Sequence, residues 1–270
     1  MIAFAANSVL CRLALQTTAI DAGTFTSIRL VAGAVTLWLV VGYRQRAWGH
    51  IAGRWSMAIA LFVYAAAFSF AYIQLATGTG ALLLFGAVQL TMIGYGLLRG
   101  ERLSGAQSLG VLLAFGGVIY LVSPGLQAPP LGPALLMIGS GVGWGAYSLL
   151  GRGVKKPDVA TAGNFIRTMP LVAVLLAASL LWGEAGLQWD QLGIGYAVLS
   201  GAVTSGLGYI LWYVVLPYLR ASSAATVQLS VPVLAALGGV AFVAEPLTMR
   251  LVVASIIILG GILLVVRNRR

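Results

Sequence analysis

The chain consists of long apolar runs separated by short gaps that hold most of its charged residues. A helix that crosses a membrane needs about 20 mostly apolar residues, and the runs have about that length. They predict ten transmembrane helices, near residues 2–18, 23–43, 56–75, 78–98, 104–122, 131–151, 160–182, 192–216, 222–243 and 248–266. The first run begins at Met1 with no basic stretch before it, so we expect a retained helix rather than a cleaved signal. The predicted fold class is an all-α membrane protein.

Composition supports lipid as the solvent for most of this surface. Apolar residues make up 60% of the chain and charged residues only 8%, whereas soluble domains carry about 25% charged residues. The net charge of +10 does not indicate a nucleic-acid partner, because most of the basic residues lie in the short gaps between apolar runs. That placement is typical of the positive-inside rule.

The gaps alternate in charge, which predicts an orientation. The gaps after predicted helices two, four, six and eight, together with the C-terminal tail, contain Arg44, Arg46, Arg54, Arg99, Arg102, Arg152, Lys155, Lys156, Arg220, Arg267, Arg269 and Arg270. The opposite gaps contain Arg250 beside Asp21, Glu184, Asp190 and Glu245. Both termini are therefore expected in the cytoplasm.

The two halves of the chain resemble each other. Residues 101–119 recur without a gap at 245–263, and Ile28-Arg29 recurs as Ile166-Arg167. The matches keep the same order, which predicts one membrane domain made of two five-helix repeats, residues 1–128 and 129–270. Because five is odd, the second repeat enters the membrane from the other side, an inverted arrangement typical of transporters with a midplane site between the repeats.

Three motifs carry a resemblance to a known family. They are Phe25-Thr26-Ser27-Ile28-Arg29-Leu30, Ser222-Ser223-Ala224-Ala225-Thr226 with Pro232-Val233, and Glu245-Pro246-Leu247-Thr248 with Gly260-Gly261. On these residues the chain resembles the drug/metabolite transporter superfamily, specifically its EamA-type ten-helix exporters. The resemblance implies a multi-pass exporter of the bacterial inner membrane, often for amino acids or aromatic metabolites. The first repeat departs from the second by having Val88 in place of Pro232 and Arg102 in place of Pro246.

Polar and aromatic side chains within the spans are the substrate-binding candidates. Polar groups are penalised in lipid, so they should face another helix or an aqueous cavity. The candidates are Asn7, Tyr64, Gln89, Tyr147, Tyr209, Tyr213 and Gln228. The resemblance implies a transport pathway along helices four and nine. We expect a cavity between helices three, four, eight and nine. The side chains exposed to it should be Gln89, Tyr209, Tyr213 and Gln228. Packing between helices is the alternative interpretation for each of them.

Two arginines and one proline within the spans have two interpretations. Arg29 and Arg167 occupy equivalent places in the repeats, and each would either clamp a substrate carboxylate or bond carbonyl groups at a helix end. We favour the structural role, because the family pattern keeps such an arginine whatever the substrate. Pro232 removes one backbone hydrogen bond from its helix, so it marks either a hinge or a fixed kink.

Two further patterns predict local structure. Gly110, Ala114 and Gly117 share one face of helix five, and Ala254 with Gly261 repeats this face in helix ten. Small residues on a membrane helix favour close packing. Ser104 and Gln107 have the spacing of a capping box at the start of helix five.

Among function classes, the sequence favours a carrier. No catalytic residue, metal site or cofactor is predicted, because the single histidine, His50, lies in a gap and no nucleotide or zinc motif occurs. A channel for small solutes is the alternative, although channels commonly rely on rings of carbonyl or charged groups. The expected partners are a small-molecule substrate and the bilayer, and the expected oligomeric state is a monomer.

The positions of the acidic residues predict how transport is driven. All six can be placed near the membrane surfaces, whereas proton-coupled carriers commonly load a buried Asp, Glu or His. We therefore expect neutral or zwitterionic substrates, moved without a proton-binding carboxylate in the membrane.

Overall fold

A computed structural model of the protein describes residues 1–45, 52–152, 154–182, 187–215, 218 and 227–267, without the side chains of Gln45, Trp182, Tyr213 and Val214. Within these ranges the regular elements are helical: α1 (Ile2–Thr17), α2 (Ala22–Gln45), α3 (Trp55–Tyr72), α4 (Thr77–Leu98), α5 (Gly105–Val122), α6 (Leu131–Leu150), α7 (Pro157–Arg167), α8 (Met169–Trp182), α9 (Gln191–Leu199), the π-helix π1 (Ser200–Leu207), α10 (Gly208–Val215), α11 (Ser230–Val243) and α12 (Met249–Arg267). The motif at residues 222–226, Glu184 and His50 lie outside the described residues.

Eight helical stretches in the described ranges are long and apolar enough to cross a membrane. They are α2 to α6, α12, the stretch Pro157–Leu181 that joins α7 to α8, and the stretch Gln191–Trp212 that joins α9, π1 and α10. The helices α1 and α11 are apolar but shorter. They coincide with the predicted runs at 2–18 and 222–243, so the protein is a helical multi-pass membrane protein, and the count of ten spans stays a prediction.

Two aspartates connect the gap between α1 and α2 to the start of α9. Asp21 accepts hydrogen bonds from the backbone amides of Thr24 and Gln188, both at 2.9 Å. Asp190 caps α9 by accepting from the amide of Gly193, and it also accepts from the amide of Ala19, both at 2.7 Å. These two backbone donors hold the pKa of Asp190 below its usual range. Two gaps that were predicted to lie on the same side of the membrane are therefore in contact.

Local signals set other helix boundaries. The capping box at α5 is confirmed: Ser104 Oγ accepts from the Gln107 amide at 3.3 Å, and Gln107 Oε1 accepts from the Ser104 amide at 2.8 Å. The predicted helix at 160–182 is interrupted at Thr168, next to Pro170 in α8. Proline has no amide hydrogen to donate to the preceding turn, which explains the break.

The small residues of α5 and α12 allow the two helices to touch. A methyl group built on Gly261 would lie 2.6 Å from the carbonyl oxygen of Gly110 and 2.7 Å from the amide nitrogen of Ala114. One built on Gly117 would lie 2.6 Å from Ile258. The predicted close packing is confirmed, because neither position has room for a side chain.

The remaining helices pack around a buried centre. α6 packs against α3 and α4, while α1 packs against α9, π1 and α11. α2 packs against π1 and α7. This arrangement brings the polar faces of α1, α2 and α3 together with π1, and the candidate site lies there.

Candidate functional site

The hydroxyl group of Tyr64 is the centre of a cluster of buried polar side chains. Its oxygen accepts hydrogen bonds from Asn7 Nδ2 at 3.3 Å and from Arg29 Nη2 at 3.0 Å. The hydroxyl of Tyr209 donates to the same oxygen at 3.4 Å. None of these four side chains is more than 5% exposed. Because several donors converge on one oxygen, the proton of Tyr64 is left to donate to another group.

Asn7 connects this hydroxyl to the π-helix. Its Oδ1 accepts from Ser200 Oγ at 2.6 Å and from Thr204 Oγ1 at 3.3 Å. Both hydroxyls come from π1, and π-helical turns frequently occur at functional sites. The acceptor oxygen of Asn7 is therefore already occupied by protein donors. We call Asn7, Arg29, Tyr64, Ser200, Thr204, Ser205 and Tyr209 the central polar cluster.

Arg29 is buried to 1% exposure in this cluster. Its Nε donates to Ser205 Oγ at 3.3 Å, and its guanidinium carbon lies 4.9 Å from the ring centre of Phe68 and 5.3 Å from that of Tyr64. Its Nη1 has no hydrogen-bond partner. The part of the chain that the structure describes places no carboxylate within ion-pair distance of this guanidinium. Among the described residues, the groups that surround this positive charge are thus all neutral.

Aromatic rings surround the cluster on the side of α6. Trp144 lies 5.0 Å from Tyr64 and 4.8 Å from Tyr209 between ring centroids, and Phe4 lies 6.0 Å from Trp144. Offset and edge contacts of this kind stabilise aromatic groups. The same rings offer a flat, apolar surface to any ligand that enters beside Tyr64.

A small cavity of about 10 Å³ lies beside these rings. Its lining residues come from α1, α3, α4 and α6: Phe4, Asn7, Tyr64, Phe68, Leu84, Phe85 and Trp144. Tyr209 points into the central polar cluster behind Tyr64, and the expected exposure of Gln89, Tyr213 and Gln228 to a cavity stays a prediction.

Gln89 and Gln228 form a second polar contact away from that cavity. Gln89 Nε2 donates to Gln228 Oε1 at 3.5 Å, which joins α4 to the residues before α11. Gln89 is buried and Gln228 half-buried. The helical conformation is interrupted at Leu229, and Pro232 lies in the first turn of α11. Because a proline cannot donate to the carbonyl group four residues earlier, the carbonyl of Gln228 loses its usual helical partner.

Two candidates serve the packing of α7. The hydroxyl of Tyr147 accepts from Asn164 Nδ2 at 3.3 Å, with the tyrosine fully buried. Arg167 Nη1 donates to the backbone carbonyls of Ala52 at 2.6 Å and Gly163 at 3.2 Å. Arg167 therefore joins a helix end to the segment before α3. The side chain of Tyr213, also a candidate, lies outside the described residues.

An ion pair lies near the other end of the domain from Arg167. Arg12 Nε and Glu245 Oε1 are 2.9 Å apart, with the side chains only 13% and 10% exposed. Glu245 Oε2 also accepts from the amide of Thr77 at 2.7 Å. Arg12 Nη1 donates to the carbonyls of Tyr72 and Ile73, both at 2.9 Å. These bonds join α1, the turn between α3 and α4, and the segment before α12.

Sequence reasoning missed part of this site. Ser200, Phe4 and Asn164 were not candidates, although Ser200 and Thr204 are four residues apart and therefore share a helical face. That spacing could have indicated them. Among the described residues, no three His, Cys, Asp or Glu side chains lie close enough to hold a metal ion. The arrangement as it stands can donate hydrogen bonds and stack on rings.

Comparison with known proteins extends this picture. The model of the EamA-like transporter family matches residues 131–267. The chain is 55% identical over 269 residues to an uncharacterised protein of Pseudomonas aeruginosa, covering 100% of this chain and 92% of that one. It is 33% identical over 171 residues to an uncharacterised transporter of Archaeoglobus fulgidus, covering 63% and 60% of the two chains. A protein of solved crystal structure shares the fold, with a TM-score of 0.66 at 21% identity over 100% of this chain and 97% of that one.

Proposed function

The chain belongs to the EamA-like transporter family, and from that premise we propose that it exports small metabolites, amino acids foremost, by alternating access. The observation that carries the proposal is the central polar cluster beside a cavity with aromatic walls. Buried polar groups in a membrane domain are costly to retain, so their convergence beside a cavity indicates a binding site. Aromatic amino acids suit it best, because rings form much of the cavity wall.

The pairing of helices supports alternating access between two inverted repeats. In the expected repeat, α1 corresponds to α6, and α3 corresponds to α9 with π1. The contact between α3 and α6 should therefore have a counterpart between α1 and α9 with π1, and both contacts occur. Likewise α4 corresponds to α11, so the contact between α4 and α6 should have a counterpart between α11 and α1, which also occurs. α5 and α12 pack against each other at their glycines, as two elements related by a two-fold axis would. Such repeats move against each other around a fixed site in many carriers.

Contacts between gaps support the expected assignment of gaps to the two sides of the membrane, and we infer from the basic residues of the inner gaps that both termini are cytoplasmic. Arg250, from an expected outer gap, donates to the carbonyls of Leu121 and Ser123, which border another expected outer gap. Arg167 and Ala52, near the expected inner surface, also meet. We place the protein in the bacterial inner membrane on the basic residues of the inner gaps.

The surroundings of Glu245 support transport without proton coupling. Its carboxylate is held by Arg12 at 2.9 Å and by the amide of Thr77 at 2.7 Å. A proton carrier would have to break both bonds in each cycle. We therefore expect export down the substrate gradient, or by exchange.

The test is counterflow in liposomes that contain the purified protein. Liposomes loaded with an unlabelled amino acid should take up the labelled one transiently and saturably, without a pH gradient, while empty liposomes should not. Exchanging Tyr64→Phe should slow this uptake, because it removes the hydroxyl on which the cluster converges. Uptake that rises linearly without saturation would indicate a channel, and strict dependence on a pH gradient would refute the proposed mechanism.

A further inference from the structure

The charge balance of the central polar cluster narrows the substrate class, an inference that rests on the proposed function. A buried guanidinium with no carboxylate partner is unusual, because an isolated charge is expensive in a low-dielectric environment. Arg29 is in that situation among the described residues: its bonded partners are the hydroxyls of Tyr64 and Ser205, and its Nη1 has none. The other membrane-embedded arginines are satisfied differently, since Arg12 pairs with Glu245 and Arg167 bonds carbonyl groups.

The polar atoms near the cavity are donors rather than acceptors. Asn7 lines the cavity, but its oxygen already accepts from Ser200 and Thr204. Tyr64 also lines the cavity, and its oxygen receives the donors of Arg29 and Asn7. An ammonium group needs acceptors, and the oxygens of Asn7 and Tyr64 already accept from protein donors. A carboxylate needs donors: Tyr64 lines the cavity and has a proton to donate, and the Arg29 guanidinium lies directly behind it, bonded to the same hydroxyl. The positive charge of Arg29 favours an anion over a cation at this place.

We propose that Arg29 and the Tyr64 hydroxyl bind the carboxylate of the substrate, and that the site has no group that binds its amino group. The protein then accepts small carboxylates with an apolar or aromatic tail, whether or not they carry an ammonium group. The rings of Phe4, Phe68 and Trp144 contact the tail. The carboxylate of the substrate would supply a counter-charge for Arg29.

Three probes with the same ring separate the two ends of an amino acid: L-phenylalanine, 3-phenylpropionate, which lacks the amine, and 2-phenylethylamine, which lacks the carboxylate. Each is titrated onto the purified wild-type protein at neutral pH, and binding is read as a shift in melting temperature and as competition with labelled phenylalanine. We expect 3-phenylpropionate to bind about as well as phenylalanine. The amine should bind roughly 10- to 100-fold more weakly, since hydrogen bonds to a charged group contribute that much to affinity.

Variants of the two equivalent arginines give a matched comparison. Arg29→Gln should weaken binding of 3-phenylpropionate by roughly 10- to 100-fold, while Arg167→Gln should leave it unchanged, because Arg167 bonds only to backbone carbonyls. The probe series on wild-type protein decides the question even if Arg29→Gln does not fold.

Each outcome has a distinct meaning. Binding of the amine as tight as that of the acid, with amino-acid counterflow intact, overturns this inference and leaves the proposed function standing. Unchanged acid binding in Arg29→Gln also overturns it. Absence of binding by all three probes, together with absence of counterflow for a full amino-acid panel, overturns the proposed function and this inference with it.

Discussion

Replacing Glu245 with glutamine removes the charge that joins three parts of the domain. In the native protein Glu245 pairs with Arg12 at 2.9 Å and accepts from the Thr77 amide at 2.7 Å. A hydrogen bond to a charged group contributes about 1.5–3 kcal/mol, and removing one partner of a buried ion pair costs about 3–5 kcal/mol. Glutamine keeps one acceptor oxygen. We therefore expect Glu245→Gln to lower the free energy of unfolding by about 2–3 kcal/mol.

The measurement is equilibrium unfolding of purified protein in mixed micelles with increasing SDS, followed by tryptophan fluorescence and circular dichroism. Glu101→Gln is the matched control, because Glu101 aligns with Glu245 in the sequence and its side chain is exposed rather than buried. Solvent weakens the interactions of an exposed carboxylate, so this substitution should cost less than Glu245→Gln. The two variants have the same change of charge, so a difference between them reports the environment of the carboxylate.

A loss of less than about 0.5 kcal/mol in Glu245→Gln would refute the reasoning, because the ion pair would then contribute no more than a surface charge. An equal loss in both variants would also contradict it. A double variant with Arg12→Gln adds a further check. If the pair is coupled, the second substitution should cost less in Glu245→Gln than in the wild-type protein.

Three further predictions follow from separate parts of the fold. Gly261→Leu should destabilise the protein by about 1–3 kcal/mol through overpacking. Gly260→Leu is its control and should not, because a Cβ at Gly260 has no neighbour within 4 Å. Equal melting temperatures of the two variants would contradict this. Because the pKa of Asp190 is lowered in the folded protein, its contribution is present at neutral pH and is lost as pH falls through that lowered pKa. Melting temperatures of wild type and Asp190→Asn should thus differ at neutral pH and converge in acid, and a constant difference would refute the assignment. Cysteines placed at residues 123–130 should be labelled from outside and those at 152–157 from inside, and the opposite result at either gap would overturn the orientation.

Features that depend on neighbouring residues could be predicted from the sequence. The capping box at Ser104 and the small residues of α5 and α12 are signals of this kind, because a helix has a fixed periodicity. The sequence match between residues 101–119 and 245–263 also indicates that Gly117 and Gly261 lie at equivalent positions of α5 and α12. The positions of the apolar runs likewise predicted where the helices lie.

The centre of the domain could not be predicted in the same way. Tyr64, Asn7 and Tyr209 were each candidates, but their convergence on one hydroxyl group depends on how α1, α3 and α10 pack in three dimensions. The π-helix adds to this difficulty, because a wider turn rotates the residues that follow it relative to an α-helix. Gln89 and Gln228 bond to each other, a long-range contact that the sequence does not show, and their place at a cavity stays a prediction.

The two equivalent arginines illustrate what an internal repeat does and does not determine. The sequence match between Ile28-Arg29 and Ile166-Arg167 predicts equivalent places in α2 and α7, but each side chain bonds to the groups of the helices that face it. Arg167 reaches the backbone carbonyl of Ala52, before the start of α3, so peptide dipoles stabilise its charge. Arg29 faces π1 and the rings of Tyr64 and Phe68 instead, where hydroxyls and π-electrons are the available partners. The same residue type therefore bonds backbone carbonyls at one position, whereas at the other it has no carboxylate partner among the described residues. The second position is the one that we propose recognises an anionic group.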